Sequence, residues 1–139
     1  MPQLRANAFE IGFPTGWSDH STVVMIGPER PAFSPNLQVN QEPIPSDVSI
    51  ADYLVEQRTE LSNLENFQLL GHGDRILAGQ RADWHAYSWR IPQGVEIRQL
   101  QLMTVRGDKV YTLTASSTLA DWEYFEPAFE MSMAQFKFV

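Results

Sequence analysis

Apolar and polar residues alternate with a period of two along most of the chain, and the alternation predicts β-strands. Residues 8–13 read as a first strand, with Phe9, Ile11 and Phe13 on one face. A Pro14-Thr15-Gly16 turn carries Trp17, and polar Ser18-Asp19-His20-Ser21 leads into a β-branched second strand over residues 22–26, stopped by Gly27-Pro28. Trp17 is expected to anchor this turn in the core, with Asp19 and His20 as local caps. After a loop containing Pro28, Pro31 and Pro35, a third strand spans residues 36–42 and ends at Pro43 and Pro45, because proline cannot donate to a central ladder. Residues 66–70 form a fourth strand that ends in Gly71-His72-Gly73-Asp74. Two long strands follow at 81–91 and 95–106, and Pro92-Gln93-Gly94 joins them into an antiparallel hairpin. Gly107-Asp108 turns into a strand at 109–115, so the last three strands make a meander.

The hydrophobic period changes to that of a helix twice. Ser49 is placed to cap a first helix, with Asp52 as its capping-box partner. Ile50, Tyr53, Leu54, Leu61 and Leu64 then fall on one stripe, interrupted by Gln57, and the helix runs to about Leu64. A final helix is expected with Pro127 in its first turn, where the missing N–H is harmless. Phe125, Phe129 and Met133 share one of its faces, and Phe136-Lys137-Phe138 closes the chain in extended form. The fold class that follows is α+β. A single domain over residues 1–139 carries an antiparallel sheet of about six to seven strands, with two main helices packed on it.

Composition narrows the function. Hydrophobic residues at 43% and aromatics at 12% describe a folded globule. A formal charge of −7 with scattered arginines excludes the basic patch that nucleic-acid binding needs. The absence of cysteine removes disulfides, thiolate nucleophiles and cysteine-held metals. No apolar run approaches the ~18 residues of a membrane span, and no signal peptide is read at the N-terminus. The expectation is a cytoplasmic protein that does not insert into membranes.

Candidate chemistry is sparse. His20, His72 and His85 show no metal-binding spacing and lie in different elements, so no metal site is expected. Asp19 beside His20 could orient a base, but a turn capped by the two side chains is the preferred reading. Ser21 lacks the frame of a nucleophile elbow. Gly71-His72-Gly73 lacks the lysine and the following helix of a phosphate loop. Glu123 and Glu126 read as a solvated helix face. Trp84, Tyr87, Trp89 and Trp122 could cage a ligand, although aromatics spaced along strands usually form cross-strand pairs. No catalytic residue and no cofactor is assigned.

The alternation divides the sheet into two faces. Val23, Met25, Leu37, Val39, Leu100, Leu102, Tyr111 and Leu113 are assigned to the side that meets the helices. The opposite side then carries Thr22, Val24, Gln38, Asn40, Gln99, Gln101, Thr112 and Thr114. One polar face is normal for an antiparallel sheet. Solvated faces usually bear Lys and Glu, however, whereas this one is uncharged and rich in hydrogen-bonding groups. It is the candidate partner-binding surface.

Several segments taken in order resemble the DcrB-related family, on the fold shared by PsbP and the Ran-binding Mog proteins. They are Pro14-Thr15-Gly16-Trp17-Ser18-Asp19, Pro35-Asn36-Leu37-Gln38-Val39 and Tyr53-Leu54-Val55-Glu56-Gln57. Gly79 to Ala82, Tyr87-Ser88-Trp89, Arg98-Gln99, Glu126-Pro127-Ala128-Phe129 and Phe136-Lys137-Phe138 continue the series. Within that family the chain is most similar to the Eag chaperones of type VI secretion. The resemblance implies a non-enzymatic partner for the N-terminal transmembrane segments of effectors that carry a PAAR domain. It places contacts at Thr22, Val24 and Gln38, where this chain is more polar than an apolar groove would be. A homodimer is compatible with it. The alternative that the family leaves open is an envelope-associated or small-ligand module of the DcrB or PsbP kind, with no role in secretion.

Overall fold

A computed structural model describes residues 3–5, 10–12 and 14–139, with only the backbone given for 3–5. Among the described residues, β1 (Gln3–Arg5) and β2 (Glu10–Gly12) form a small antiparallel ladder of their own. The main sheet contains β3 (Thr22–Ile26), β4 (Asn36–Pro43), β5 (Gln68–Leu77), β6 (Gln80–Arg90), β7 (Glu96–Arg106) and β8 (Lys109–Thr118). Two helices complete the fold, α1 (Ile50–Leu61) and α2 (Trp122–Ala134).

The six strands lie in the order β3-β4-β8-β7-β6-β5, antiparallel at each step. Tight turns at Gly79, Gly94 and Gly107, all with positive φ, link β5 through β8 into a four-strand meander. The α+β class and the antiparallel sheet match what the alternation predicts. Ser49 caps α1 as expected, its hydroxyl accepting from the N–H of Asp52 at 3.1 Å.

The helices cover opposite faces of the sheet, and this departs from the expectation that both lie on one side. Trp122, Phe125, Phe129 and Met133 of α2 pack on Leu37, Leu100, Leu102, Leu113 and Ala115 to form the larger core cluster. Tyr53 and Leu54 of α1 pack on Met103 and Val110, with Ile44, Val48, Ile50 and Val105 around them. Met103 and Val110 have the same strand parity as Gln101 and Thr112, so α1 sits on the hydrogen-bonding face. Val23 and Met25 lie on the α2 side as assigned, but β3 is an edge strand and both remain exposed.

Other expectations are corrected. Trp17 is not in the core: it is 71% exposed, on a turn closed by its own N–H donating to the Pro14 carbonyl at 3.2 Å. The turn precedes β3, and among the described residues Trp17 joins neither core cluster. The fourth strand does not stop at Gly71 but runs as β5 through His72, Gly73 and Asp74 to Leu77. Its glycines accommodate the Trp84 indole from the next strand, which lies within 3.2 Å of where a Cβ on Gly71 would stand and 3.0 Å for Gly73. α1 ends at Leu61, one turn before Leu64, with Ser62 as its C-cap. α2 begins at Trp122, so Pro127 is its sixth residue and not part of its first turn. The Thr118 hydroxyl starts that helix by accepting from the N–H of Asp121 at 3.1 Å. Pro127 is tolerated there because it and Glu123, whose carbonyl loses a donor, both face outward. Of the predicted first strand, Glu10–Gly12 is extended, and Ala8, Phe9 and Phe13 lie outside the described residues. Residues 136–138 belong to no strand, although Phe136 packs on the core and Phe138 stacks edge-on against Tyr111 at 4.9 Å.

Candidate functional site

Register places the predicted surface residues in rows across one face. Thr22, Asn40 and Thr112 stand side by side, with Met103 next in that row. The following row is Val24, Gln38, Thr114, Gln101, His85 and His72. Gln99 belongs to a third row, between Ser116 and Tyr87. All the predicted positions therefore share a face, but α1 roofs the part of it over β6, β7 and β8, and their exposure differs. Thr22 and Val24 are open to solvent, Gln38, Asn40, Gln99, Gln101 and Thr112 are half-buried, and Thr114 is buried. Gln99 is committed internally, accepting from Trp89 Nε1 at 2.9 Å and donating to Ser116 Oγ at 2.8 Å.

Between α1 and the projecting strands β3 and β4 lies a groove of about 290 Å³. Thr22, Asn40, Gln101 and Thr112 form its floor, while Tyr53 and Gln57 descend from α1. His20 and Gln41 stand at the β3–β4 side. The one carboxylate on the lining, Glu42, accepts a hydrogen bond from the Tyr53 hydroxyl. Thr22 Oγ1 donates to Asn40 Oδ1 at 2.8 Å, and Gln41 Nε2 donates to Ser21 Oγ at 3.1 Å. Among the described residues, Nδ2 of Asn40 and Nε2 of Gln101 have no partner, so both present donors to whatever enters.

Under α1, Arg58 Nε donates to His85 Nδ1 at 3.4 Å. His85 Nε2 must then carry the proton, which it donates to Gln101 Oε1 at 2.6 Å. Burial holds the pKa of His85 below its ordinary value; the Gln101 bond opposes this, and the Arg58 and His72 charges add to it. The imidazole is thus a neutral spacer that fixes which end of the Gln101 amide faces the groove. Burial, with Glu42 beside it, pushes the Tyr53 phenol upward and keeps it a donor. Asp19 accepts from both the N–H and the hydroxyl of Ser21 rather than from His20. Burial works to raise the Asp19 pKa, but the Ser21 bonds prevail and hold it below the usual carboxylate range.

The aromatic quartet does not converge. Trp84 and Trp122 belong to the α2 side, whereas Tyr87 is buried on the other, against His85 and Phe67. Sequence reasoning did not assign Tyr53 and Gln57 to the binding face. The signal for Gln57 was its interruption of an otherwise apolar helix stripe: an amide there has to face a polar floor.

Three solved structures share the fold. PA94 of Pseudomonas aeruginosa, a protein of unknown function, superimposes with a TM-score of 0.86 at 24% identity, over 100% of this chain and 97% of its own. LpqN of Mycobacterium tuberculosis, involved in cell envelope biogenesis, gives 0.61 at 18% identity, over 86% of this chain and 85% of its own. The cyanobacterial PsbP of Synechocystis sp. PCC 6803 gives 0.53 at 18% identity, over 89% and 84%. No curated protein gives a significant match to the sequence. The DcrB family model matches residues 9–134, nearly the whole chain, and the protein belongs to the DcrB family.

Proposed function

We propose that this protein is a non-enzymatic, cytoplasmic chaperone or adaptor for type VI secretion effectors. In this reading it holds the hydrophobic N-terminal transmembrane segment of an effector with a PAAR domain in the groove between α1 and β3–β4. The observation that carries the reading is the groove's chemistry. Its floor combines hydroxyls and amides with no free charge, its one carboxylate is bonded by Tyr53, and the exposed methyls of Val24 stand in the next row of the same face. Transmembrane helices associate through close packing, small residues and side-chain hydrogen bonds rather than through bulk hydrophobicity. A surface of Thr, Val, Asn and Gln offers such a helix what a neighbouring helix would. The net charge of −7 discourages a loaded complex from adhering to anionic membrane.

Coexpression with a tagged effector N-terminal segment tests the reading. The segment is expected to co-purify with the wild type, and Thr22→Asp or Val24→Asp is expected to reduce capture about tenfold or more, since each places a charge against an apolar helix. Failure to co-purify, or capture unaffected by both substitutions, would sink it. The structural likeness to LpqN favours a second reading, an envelope-associated binding module with no part in secretion. That reading predicts no interaction with effector segments and fractionation with the envelope.

A further inference from the structure

We propose that a cavity on the opposite face of the sheet, between α2 and strands β5–β7, is a separate binding site for a small monocarboxylate with an apolar body. The cavity measures about 260 Å³. It is of the small end of ligand-site sizes, and it shares no lining residue with the groove. Its floor is Trp84, Ala86 and Leu100, and its far wall is the flank of α2 that carries Trp122, Glu126 and Glu130. The indole of Trp84 lies over Gly71 and Gly73 of the edge strand, which makes one side of the cavity aromatic.

Among the charged groups in the cavity, one cation stands without a carboxylate. Arg75 forms a two-pronged ion pair with Glu130, at 2.8 and 3.4 Å. Glu126 accepts from Trp122 Nε1 at 2.6 Å. Arg98 has no carboxylate among the described residues. Its guanidinium stacks over the Trp122 ring at 4.9 Å, and its Nε is buried without an acceptor. Stacking occupies the flat face of a guanidinium and leaves its in-plane terminal N–H groups free for the fork that one carboxylate fits. Nε has no accessible surface, so the terminal nitrogens of Arg98 are the donors a ligand can reach.

The same lining selects the ligand. Glu126 and Glu130 stand on the wall and repel a second negative charge, so a monoanion is favoured over phosphate or a dicarboxylate. With its carboxylate on Arg98, the ligand's remaining atoms fall on Trp84, Ala86 and Leu100. These offer area and no hydrogen bonds, which calls for an apolar body.

Hydrocinnamate is a suitable probe, with hydrocinnamyl alcohol as its uncharged counterpart. Trp84 and Trp122 line the cavity, so tryptophan emission, excited at the red edge where neither probe absorbs, reads occupancy. The carboxylate is expected to give a saturable change, and the alcohol to bind about tenfold more weakly or worse. Arg98→Gln is expected to remove that difference by weakening only the carboxylate. Inorganic phosphate is expected not to compete. Equal binding of both probes, binding of neither, or unchanged hydrocinnamate affinity in Arg98→Gln would overturn the proposal, and displacement by phosphate would overturn the monoanion assignment. If Arg98→Gln does not fold by thermal melt, the comparison of the two probes on wild-type protein decides alone. None of these outcomes depends on effector binding.

Discussion

Gly73→Ala is the substitution whose sign depends most on a single contact. A Cβ at this position would stand 3.0 Å from Trp84 Nε1, 3.3 Å from Cε2 and 3.4 Å from Cζ2. Native Cβ atoms avoid such proximity to a rigid ring, and overpacking of this kind costs about 1–3 kcal/mol. Acting against this, replacing glycine by alanine in extended backbone stabilises by about 0.4–1 kcal/mol, through the lost freedom of the unfolded chain. The clash wins, and Gly73→Ala is expected to destabilise by about 1 kcal/mol, several degrees in Tm. The three nearest heavy atoms all belong to the indole, so the sign should reverse once it is gone. In a Trp84→Val background, Gly73→Ala is expected to stabilise by about 0.5 kcal/mol. Urea unfolding followed by far-ultraviolet circular dichroism gives all four corners of the cycle, with a coupling of about 1–3 kcal/mol. Gly71→Ala meets the ring's rim at 3.2 Å and should cost less. Equal effects of Gly73→Ala in both backgrounds, or stabilisation in the wild type, would refute the claim that these glycines exist to seat Trp84.

Two further predictions concern the layers on either side. Leu102 is fully buried at the centre of the α2 core, and Leu102→Ala should lower stability by about 2–5 kcal/mol, read as a shift of urea midpoint at constant slope. His85 has its folded pKa below the unfolded value, so the unfolded chain binds the extra proton first. Its contribution is present above about pH 6.5 and is lost as the pH falls towards the folded value. Wild-type protein should therefore lose more stability than His85→Gln between about pH 7 and about pH 5, measured by urea unfolding at both pH values; parallel losses would remove His85 as the cause.

The last three strands, β6, β7 and β8, were legible because turn glycines and period-two alternation agree along most of their length. β5 was not, because glycine reads as a breaker until its neighbour is known, and the neighbour is a tryptophan on the next strand. Trp17 was misplaced for the converse reason: its composition argues for burial, but only the sheet's extent decides whether a hydrophobic layer reaches the turn. The side on which α1 packs was legible in part. Met103 and Val110 sit at the parity of Gln101 and Thr112, and apolar residues at polar-face parity mark where something covers that face. Gln57 carries the complementary signal from the helix side, an amide in an apolar stripe.

These two irregularities are one device seen from its two halves. α1 rests on Met103 and Val110 through Tyr53 and Leu54, which fixes its height above the sheet. Gln57 lies one turn further along, where the floor changes to Gln101 and Thr112, and the helix does not close down on it. If the polar positions merely faced solvent, nothing would require His85 to be buried beneath Arg58 so that it orients the Gln101 amide. A buried imidazole carries a desolvation cost that an aliphatic side chain in its place would not. Retaining it is consistent with a groove whose donors point outward in a set direction. The α2 face lacks such an arrangement: its aromatics close the core, and Arg30 and Arg98, each stacked on a ring of α2 and without a carboxylate among the described residues, stand at its margin. The sheet thus separates a groove that presents oriented amides from a cavity in which one of two guanidinium groups, that of Arg98, lacks a carboxylate.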